Sequence, residues 1–439
     1  MTTETGGAPL SRTAGLADRP AETRVEINGM LHAVRDMKSF AFLILRVEDG
    51  LIQCVYDKAG EEEPLPREES AVRVGGVLRP EARAVGGVEL VADVLTVLSA
   101  PYEALPVPIG KRRLNLQIET ELTLRPVTLR NDGRRAVFKL REGLVRGMRQ
   151  HLEENGFTEI FTPKLVSAGA EGGSNLFGLE YFGKKAFLAQ SPQAYKQMLI
   201  PVYGRVFEIG PVFRAEKHNT PRHLSEYISV DFEMGFIESF YDILREETDL
   251  LRRALAMLAG PYAEYTRQLG VTLPEIGDEI PRLRFAEAKE RVAARYGRKI
   301  RNPFDLEPEE ERLIGRLAEE EYGSDFVFVT HYPAKKRPFY AMDDQEDPRY
   351  TLSFDLLFRG LEITTGGQRI HDYAAQVEKM RAKGLAPADF ESYLMLHRYG
   401  CPPHGGLGLG LERLLLQLLG EQNVRTASMF PRDTTRLVP

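Results

Sequence analysis

The stretch FEIGPVFRAEKHNTPRHLSEYISVDFE (207–233) holds the densest set of chemically capable side chains in this chain. Arg214 and Glu216 stand two apart on a predicted strand, so their side chains share one face. An arginine fork suits a phosphate, and a neighbouring carboxylate accepts the amino group of a base. A lone RxE is most often a surface ion pair, so the pair needs company to mean more. Near the C-terminus, HGGLGLGLERLLL (404–416) sets Gly405, Gly406, Gly408 and Gly410 ahead of a helix bearing Arg413. Those glycines would let backbone approach a ligand closely, or would serve packing alone. Two more polar segments, QSPQAYKQM (190–198) and TTGGQRIH (364–371), add glutamines, a lysine and an arginine. There is no GxxxxGK[ST] loop and no strand-following GxGxxG, so a nucleotide site here needs neither a P-loop nor a Rossmann turn.

Residues 24–98 carry β-type runs at 24–32, 40–47, 51–56, 71–79 and 88–98, with a turn at Glu48, Asp49 and Gly50 and a longer loop over 61–69. Five short strands without a strong helical pattern suggest a small β-barrel, an OB-fold first and an SH3-like barrel as the alternative. PYEALPVPIG (101–110), with its three prolines, suits an extended connector. From 131 the period changes. Val137, Leu140, Leu144, Met148 and Leu152 recur at three and four, an amphipathic helix ending near Asn155-Gly156. Strand-like runs at 204–216, 227–236 and 353–366, helices near 241–259 and 285–296, a glycine-rich turn and an apolar helix at 411–420 complete a mixed α+β pattern. Its long strands read as antiparallel. The expected division is a loose N-terminal extension (1–20), a barrel (21–102), a hinge or linker (103–130) and a larger α+β domain (131–439).

Composition narrows the classes. A chain of 439 residues exceeds one ordinary core, and its 43% hydrophobic and 28% charged content suits a water-soluble globular protein. No apolar run approaches the roughly 18 residues of a membrane span, and the first twenty residues lack the apolar segment of a secretion signal. Cys54 and Cys401 form no zinc spacing, which leads us to expect a reduced, cytoplasmic setting. The formal net charge of −6 argues against a protein that coats nucleic acid, DNA included, by bulk positive charge. It leaves room for RNA read by stacking and local patches.

Taken together, 207–233 and 404–416 resemble motifs 2 and 3 of the class II aminoacyl-tRNA synthetases. The helix leading to GFTEIFTPKLV (156–166), with Pro163, resembles motif 1, which in that family builds a homodimer interface. The match runs in the family's order from about residue 24 to Pro439. It implies an N-terminal OB-fold and a catalytic domain built on an antiparallel sheet flanked by helices. The resemblance carries Arg214 to the α-phosphate of ATP, Glu216 to the adenine amino group and Arg413 to the γ-phosphate. It sets His223 near the outer phosphates, Tyr227 against adenine and Gly410 in the ATP site. Asp355, Glu362 and Thr365 match positions around an essential Mg²⁺, a hard ion that wants oxygen ligands. QSPQAYKQM is similar to the aspartyl branch, which implies Gln193 and Lys196 for L-aspartate, with Lys196 facing its side-chain carboxylate. Arg369 would fork that carboxylate, and Asp231 with Glu171 would hold the α-ammonium. The short interval from Glu233 to Ser353 favours the archaeal type, since the bacterial type carries a large insertion there.

In the family's barrel an aromatic stacks on the central anticodon base, and a glutamine and a glutamate read base edges. Phe42, Gln53 and Glu89 match those positions, although strand alternation alone favours core packing for Phe42. His32 and Pro80 match relatives that charge both tRNA(Asp) and tRNA(Asn), whereas enzymes restricted to tRNA(Asp) carry a tryptophan at the position of His32. This chain has no tryptophan. The rivals are an asparaginyl-tRNA synthetase, an amide-forming ligase on a synthetase-like core, and an RNA-binding module with a dead catalytic domain.

Overall fold

The computed structural model describes residues 9–58, 64–111, 113–167, 176–217 and 219–438. It separates into two compact units, Met1–Arg135 and Ala136–Pro439.

The first unit is a closed barrel of β1 (Arg24–Asp36), β2 (Phe40–Arg46), β3 (Leu51–Asp57), β4 (Ala71–Pro80) and β5 (Val88–Ser99), in the order β1-β2-β3-β5-β4. Only the β3–β5 pair is parallel. This is the OB-fold, and its five strands fall on the five expected runs. Period-two alternation sends Ala41, Leu43 and Leu45 of β2 and Ile52, Cys54 and Tyr56 of β3 into the core. A bulge at Leu31/Ala33 in β1 breaks the alternation, so that Leu31 and His32 are both buried.

Two expectations for this unit change. The segment read as a loose extension is seated on the barrel from Leu10 onward. Leu10 pairs with Ile27, the Asp49 carboxylate accepts Thr13 N (2.6 Å) and Ala14 N (2.9 Å), and Leu16 is buried in the barrel core. An apolar plug, a capping carboxylate and backbone pairing of Leu10 with β1 together fix this polar segment. The stretch read as a hinge holds two short helices, α1 (Ile118–Thr123) and α2 (Arg125–Thr128). Between them lies a buried ion pair, Arg125 to Glu121 at 2.7 Å, and Arg134 takes the other Glu121 oxygen at 2.7 Å. The i,i+4 spacing of that pair is visible in sequence, but its burial is not.

The second unit is built on an eight-stranded sheet. The chain supplies α3 (Asp132–Glu154), β6 (Thr158–Glu159), then β7 (Leu165–Val166), β8 (Gly178–Tyr181) and β9 (Lys184–Leu188), which form a separate small sheet. Helices α4 (Gln193–Met198) and α5 (Ile200–Tyr203) lead to β10 (Arg205–Phe213) and β11 (Glu226–Gly235). After α6 (Tyr241–Ala259), α7 (Ala263–Leu269), β12 (Arg282–Arg284), α8 (Phe285–Tyr296), α9 (Pro308–Tyr322) and β13 (Phe326–Thr330) come β14 (Ser353–Phe358) and β15 (Leu361–Gln368). Then follow α10 (Tyr373–Ala382), α11 (Glu391–Arg398), β16 (His404–Gly410) and α12 (Leu411–Leu419). The sheet order is β12-β13-β14-β15-β16-β11-β10-β6, antiparallel throughout its middle and parallel only at the two end pairs.

The run 353–366, read as one stretch, is a hairpin that turns at Arg359 and Gly360, both at positive φ (48° and 74°). Two consecutive residues of that conformation make the tight turn that matches strand twist. The glycine-rich run before α12, read as a turn, is the central strand β16. Its glycines look across at side chains of β11, which need the room.

Candidate active site

A cavity of about 710 Å³ opens over the middle of the large sheet. Strand β11 supplies its floor. Ser229, Asp231 and Glu233 alternate onto one face and lie opposite Gly410, Gly408 and Gly406 of β16. A Cβ at Gly406 would come within 2.4 Å of Glu233 Oε2 and 2.1 Å of Phe232 O, and one at Gly408 within 3.1 Å of Asp231 Oδ1. The G-x-G-x-G alternation in HGGLGLG thus leaves one face of β16 bare so that neighbouring carboxylates can lie across it.

At one end of the cavity stand Gln193, Asp231 and Arg369, all expected around an amino acid. The guanidinium of Arg369 donates from Nε to Glu233 Oε1 (2.8 Å) and from Nη2 to Glu233 Oε2 (3.3 Å) and Gly406 O (2.8 Å). Lys196 was expected to face the ligand, yet it is absent from the lining and only 1% exposed. Its ammonium donates to Asp231 Oδ1 (3.0 Å) and Leu407 O (2.8 Å) and lies 3.3 Å from Glu233 Oε2. Two adjacent buried carboxylates outbid solvent for a buried cation, which explains the position. Burial pushes Glu233 up, but Arg369 and Lys196 outweigh it and hold the carboxyl below its ordinary range. His404 behind them is pushed down to about 4 by burial, so it stays neutral. Glu171 lies outside the described residues.

At the other end Arg214, Glu216, His223, Tyr227, Glu362, Thr365, Gly410 and Arg413, the residues that the resemblance carries to ATP and its metal, all line the cavity. Arg214 and Glu216 do not ride on a strand. β10 ends at Phe213, and the pair sits just beyond, anchored by Arg214 N to Ser225 O at 2.9 Å. The Arg214 guanidinium is 5.9 Å from the Tyr227 ring centroid. Arg413 Nη1 donates to Glu362 O (3.0 Å) and Oε1 (3.2 Å), and the Thr365 hydroxyl reaches the same carboxylate at 3.4 Å. His223 is pushed below its ordinary value by burial and then by Arg413.

Asp355, across the strand pair from Thr365, is not in the lining and accepts a hydrogen bond at Oδ1 from Arg337 Nη2 at 2.7 Å. Burial, against the pull of Arg337, holds Asp355 above its usual value, and Glu362 adds to that. Glu362 itself is held low because Arg413 and Arg337 outweigh its burial. Among the described residues no group of three or more His, Cys, Asp or Glu is gathered to hold a metal. Glu362 and Thr365 line the cavity and Asp355 lies across the strand pair behind them, and two carboxylates and a hydroxyl are hard oxygens of the kind Mg²⁺ takes. Their chemistry fits that ion beside a nucleotide.

Sequence reasoning missed Arg222, Arg337 and Glu412. Arg222 lines the cavity and pairs with Glu311, which burial and Glu362 push up to about 7. Glu412 takes Ile228 N at 3.0 Å and Arg141 at 3.1 Å. The acidic residue beside Arg413 in GLERL was the available signal, whereas nothing local marked Arg337.

On the barrel, Phe42 is half-buried on the outer face, not in the core, and packs edge-on to Phe40 at 5.2 Å. It shares the β2–β3–β5 surface with Gln53, whose amide donates to Glu89 Oε2 at 2.9 Å. Arg79 pairs with the other Glu89 oxygen. Pro80 is exposed at the end of β4. His32, expected among base-reading residues, is instead inside the bulge at 4% exposure. Its Nδ1 is 3.2 Å from Arg46, which holds Glu69 at 2.7 and 2.8 Å. Burial lowers its pKa, and Arg46 adds to that.

Residues 117–434 match the family model of the class II tRNA synthetases (D, K and N), and residues 25–98 match that of the OB-fold nucleic acid binding domain. The chain is 49% identical to the Aspartate–tRNA(Asp/Asn) ligase of Thermus thermophilus over 94% of this chain and 96% of that one. It is 46% identical to the enzyme of the same name from Deinococcus radiodurans, over 98% and 100%. Among solved structures it resembles the asparaginyl-tRNA synthetase of Pyrococcus horikoshii complexed with asparaginyl-adenylate (TM-score 0.87, 31% identity, 95% and 97% covered). The aspartyl-tRNA synthetase of Entamoeba histolytica is similarly close (TM-score 0.85, 29% identity, 99% and 94% covered). A closed OB barrel and an antiparallel sheet carrying these arginines and carboxylates are what that family builds, and the chain belongs to the class II aminoacyl-tRNA synthetases.

Proposed function

We propose that the chain activates L-aspartate with ATP and transfers it to tRNA(Asp), and to tRNA(Asn) as well. One observation carries the reading. A single sheet face joins an end where Arg369 lines the cavity, with Lys196 beneath it, to a second end bearing Arg214 and Arg413. That arrangement suits an acidic amino acid laid end to end with a triphosphate. The relatives named Aspartate–tRNA(Asp/Asn) ligase at 49% and 46% identity support aspartate over asparagine and support both tRNAs.

In this reading Arg369 meets the side-chain carboxylate, Gln193 contacts the amino acid, and Asp231 and Glu171 hold the α-ammonium. Arg214 holds the α-phosphate, Arg413 the γ-phosphate and Glu216 the adenine amino group, with Tyr227 against the ring. The α-carboxylate attacks the α-phosphorus in line and pyrophosphate leaves. The arginines meet charge as it develops, without an enzyme nucleophile. Mg²⁺ bound with ATP would be held by Glu362, Asp355 and Thr365 and would neutralise phosphate charge. The terminal ribose hydroxyl of the tRNA then attacks the mixed anhydride and AMP leaves. Phe42 stacks on an anticodon base and Gln53 presents a polar edge beside it, held by the buried Glu89, with Pro80 exposed at the end of the neighbouring strand β4 and His32 supporting the barrel from inside the β1 bulge.

A homodimer belongs to the same proposal. The α3 surface, with Phe138, Arg141, Arg146 and Arg149, meets Met429 around a second cavity of about 650 Å³. Phe161, in the segment that resembles motif 1, is 84% exposed. Sedimentation at micromolar concentration would return a single-chain mass if this is wrong. Cys54 and Cys401 are both unpaired, which suits a reducing cytoplasm, and no described helix is long and apolar enough to cross a membrane.

ATP–pyrophosphate exchange with aspartate, with asparagine and with no amino acid tests the activity. Exchange that needs asparagine instead makes the chain an asparaginyl enzyme. Loss of all exchange leaves only an RNA-binding module. Aspartylation of purified tRNA(Asn) transcript tests the second acceptor, and no charging at high enzyme concentration rejects it.

A further inference from the structure

Glu233 does not line the cavity, yet one carboxylate touches both cations of its amino-acid end. The residue is fully buried (0% exposed). Its Oε1 accepts Arg369 Nε at 2.8 Å, and Oε2 lies 3.3 Å from both Arg369 Nη2 and Lys196 Nζ. Arg369 Nη2 gives its other hydrogen to Gly406 O at 2.8 Å. With Nε and Nη2 so engaged, the usual end-on fork is used up, and Nη1 is the nitrogen left for the cavity that Arg369 lines. The bare backbone at Gly406 leaves room for this carboxylate as well as for the Phe232 carbonyl, since a Cβ there would stand 2.4 Å from Oε2 and 2.1 Å from Phe232 O.

We propose, resting on the aspartate-activation reading above, that Glu233 is the positioning residue for side-chain recognition. It aims the Nη1 edge of Arg369 at the ligand's carboxylate and pins Lys196 beneath, without touching the ligand. Lys196 and Arg369 are matched by Asp231 and Glu233, so the four groups sum to zero charge. Affinity for an acidic side chain then comes from a fixed donor direction and not from surplus positive charge.

The sign of one kinetic change separates those two sources. Full-length wild type, E233Q and E233D are compared in ATP–pyrophosphate exchange, with aspartate and ATP each varied. Positioning predicts that E233Q raises KM for aspartate about tenfold or more, with kcat and KM for ATP within about threefold, and that E233D recovers part of the loss. An unchanged or lower KM for aspartate in E233Q overturns the proposal, the lower value meaning that Glu233 only balances charge. Equal losses in kcat and in KM for both substrates also overturn it, as a scaffold role. If E233Q fails to fold, E233D decides: KM for aspartate raised alone supports the proposal, and an unchanged KM rejects it. If the wild type activates another amino acid, the aspartate reading falls, while the same KM split on that amino acid still judges Glu233.

Discussion

The two ends of the cavity solve opposite problems. At the end we assign to the amino acid Lys196, Asp231, Glu233 and Arg369 are buried and bonded to one another. At the end we assign to the nucleotide Arg214, Glu216 and His223 are only partly buried, and the Arg413 side chain keeps 24% of its surface exposed. A small ligand that must be told from a near isostere needs donors that cannot turn. A long polyanion needs charges that can follow it. The price of the rigid end is desolvation, offset only while every charge keeps its partner.

The same contrast separates two buried glutamates. Glu233, between two cations, stays ionised. Glu247 on α6 is just as buried, but its carboxylate oxygens have no hydrogen-bond partner within ordinary distance. Burial pushes Glu247 up to about 8, against the nearby Thr364 hydroxyl and with help from Asp355. Burial alone protonates a carboxyl, and burial beside cations does not.

Four experiments sharpen or break this comparison. Lys196→Met leaves Asp231 and Glu233 facing each other without their shared cation and should cost about 3–5 kcal/mol of stability. A variant as stable as wild type in denaturant would show that the amino-acid end is not a locked cluster. Arg413→Ala and Arg214→Ala should fold normally and lower aspartate-dependent exchange by on the order of 10²–10³-fold. Near-wild-type exchange in either would remove the phosphate end from the site.

Glu247 gives a pH effect with a definite sign. Its folded pKa, about 8, lies above the ordinary value of 4.5, so the folded chain holds an extra proton in between. Its contribution to stability is full below about pH 4.5 and is lost as pH rises toward 8. Glu247→Gln keeps the shape without the titration, so it should gain about 2–4 kcal/mol on wild type between pH 5 and 8. Parallel stability curves for the two proteins would contradict the assignment. The smallest effect belongs to Tyr227→Leu, where loss of the ring should raise KM for ATP by a few fold, about 1 kcal/mol, with KM for aspartate unmoved. A larger change for aspartate than for ATP would mean that the two ends are not separate.

Much of the molecule follows from the residues alone. Alternation in 24–98 marks five strands, and the 3.6 period marks α3 and α6, because both patterns are local consequences of which face is buried. The residue types around Arg214, Arg369 and Arg413 announce anion chemistry because few other side chains perform it. Tertiary structure alone decided which charges are spent and which are available. Lys196 and Arg369 look alike in sequence, yet one is sealed below the floor and the other reaches the cavity, because β11 and β16 bring Glu233 and Gly406 against them. Phe42 faces outward by the regular alternation of β2, whereas His32 is turned inward by the bulge at Leu31/Ala33 where β1 pairs with β2. Those outcomes depend on pairing between strands far apart in the chain, and no local pattern records it.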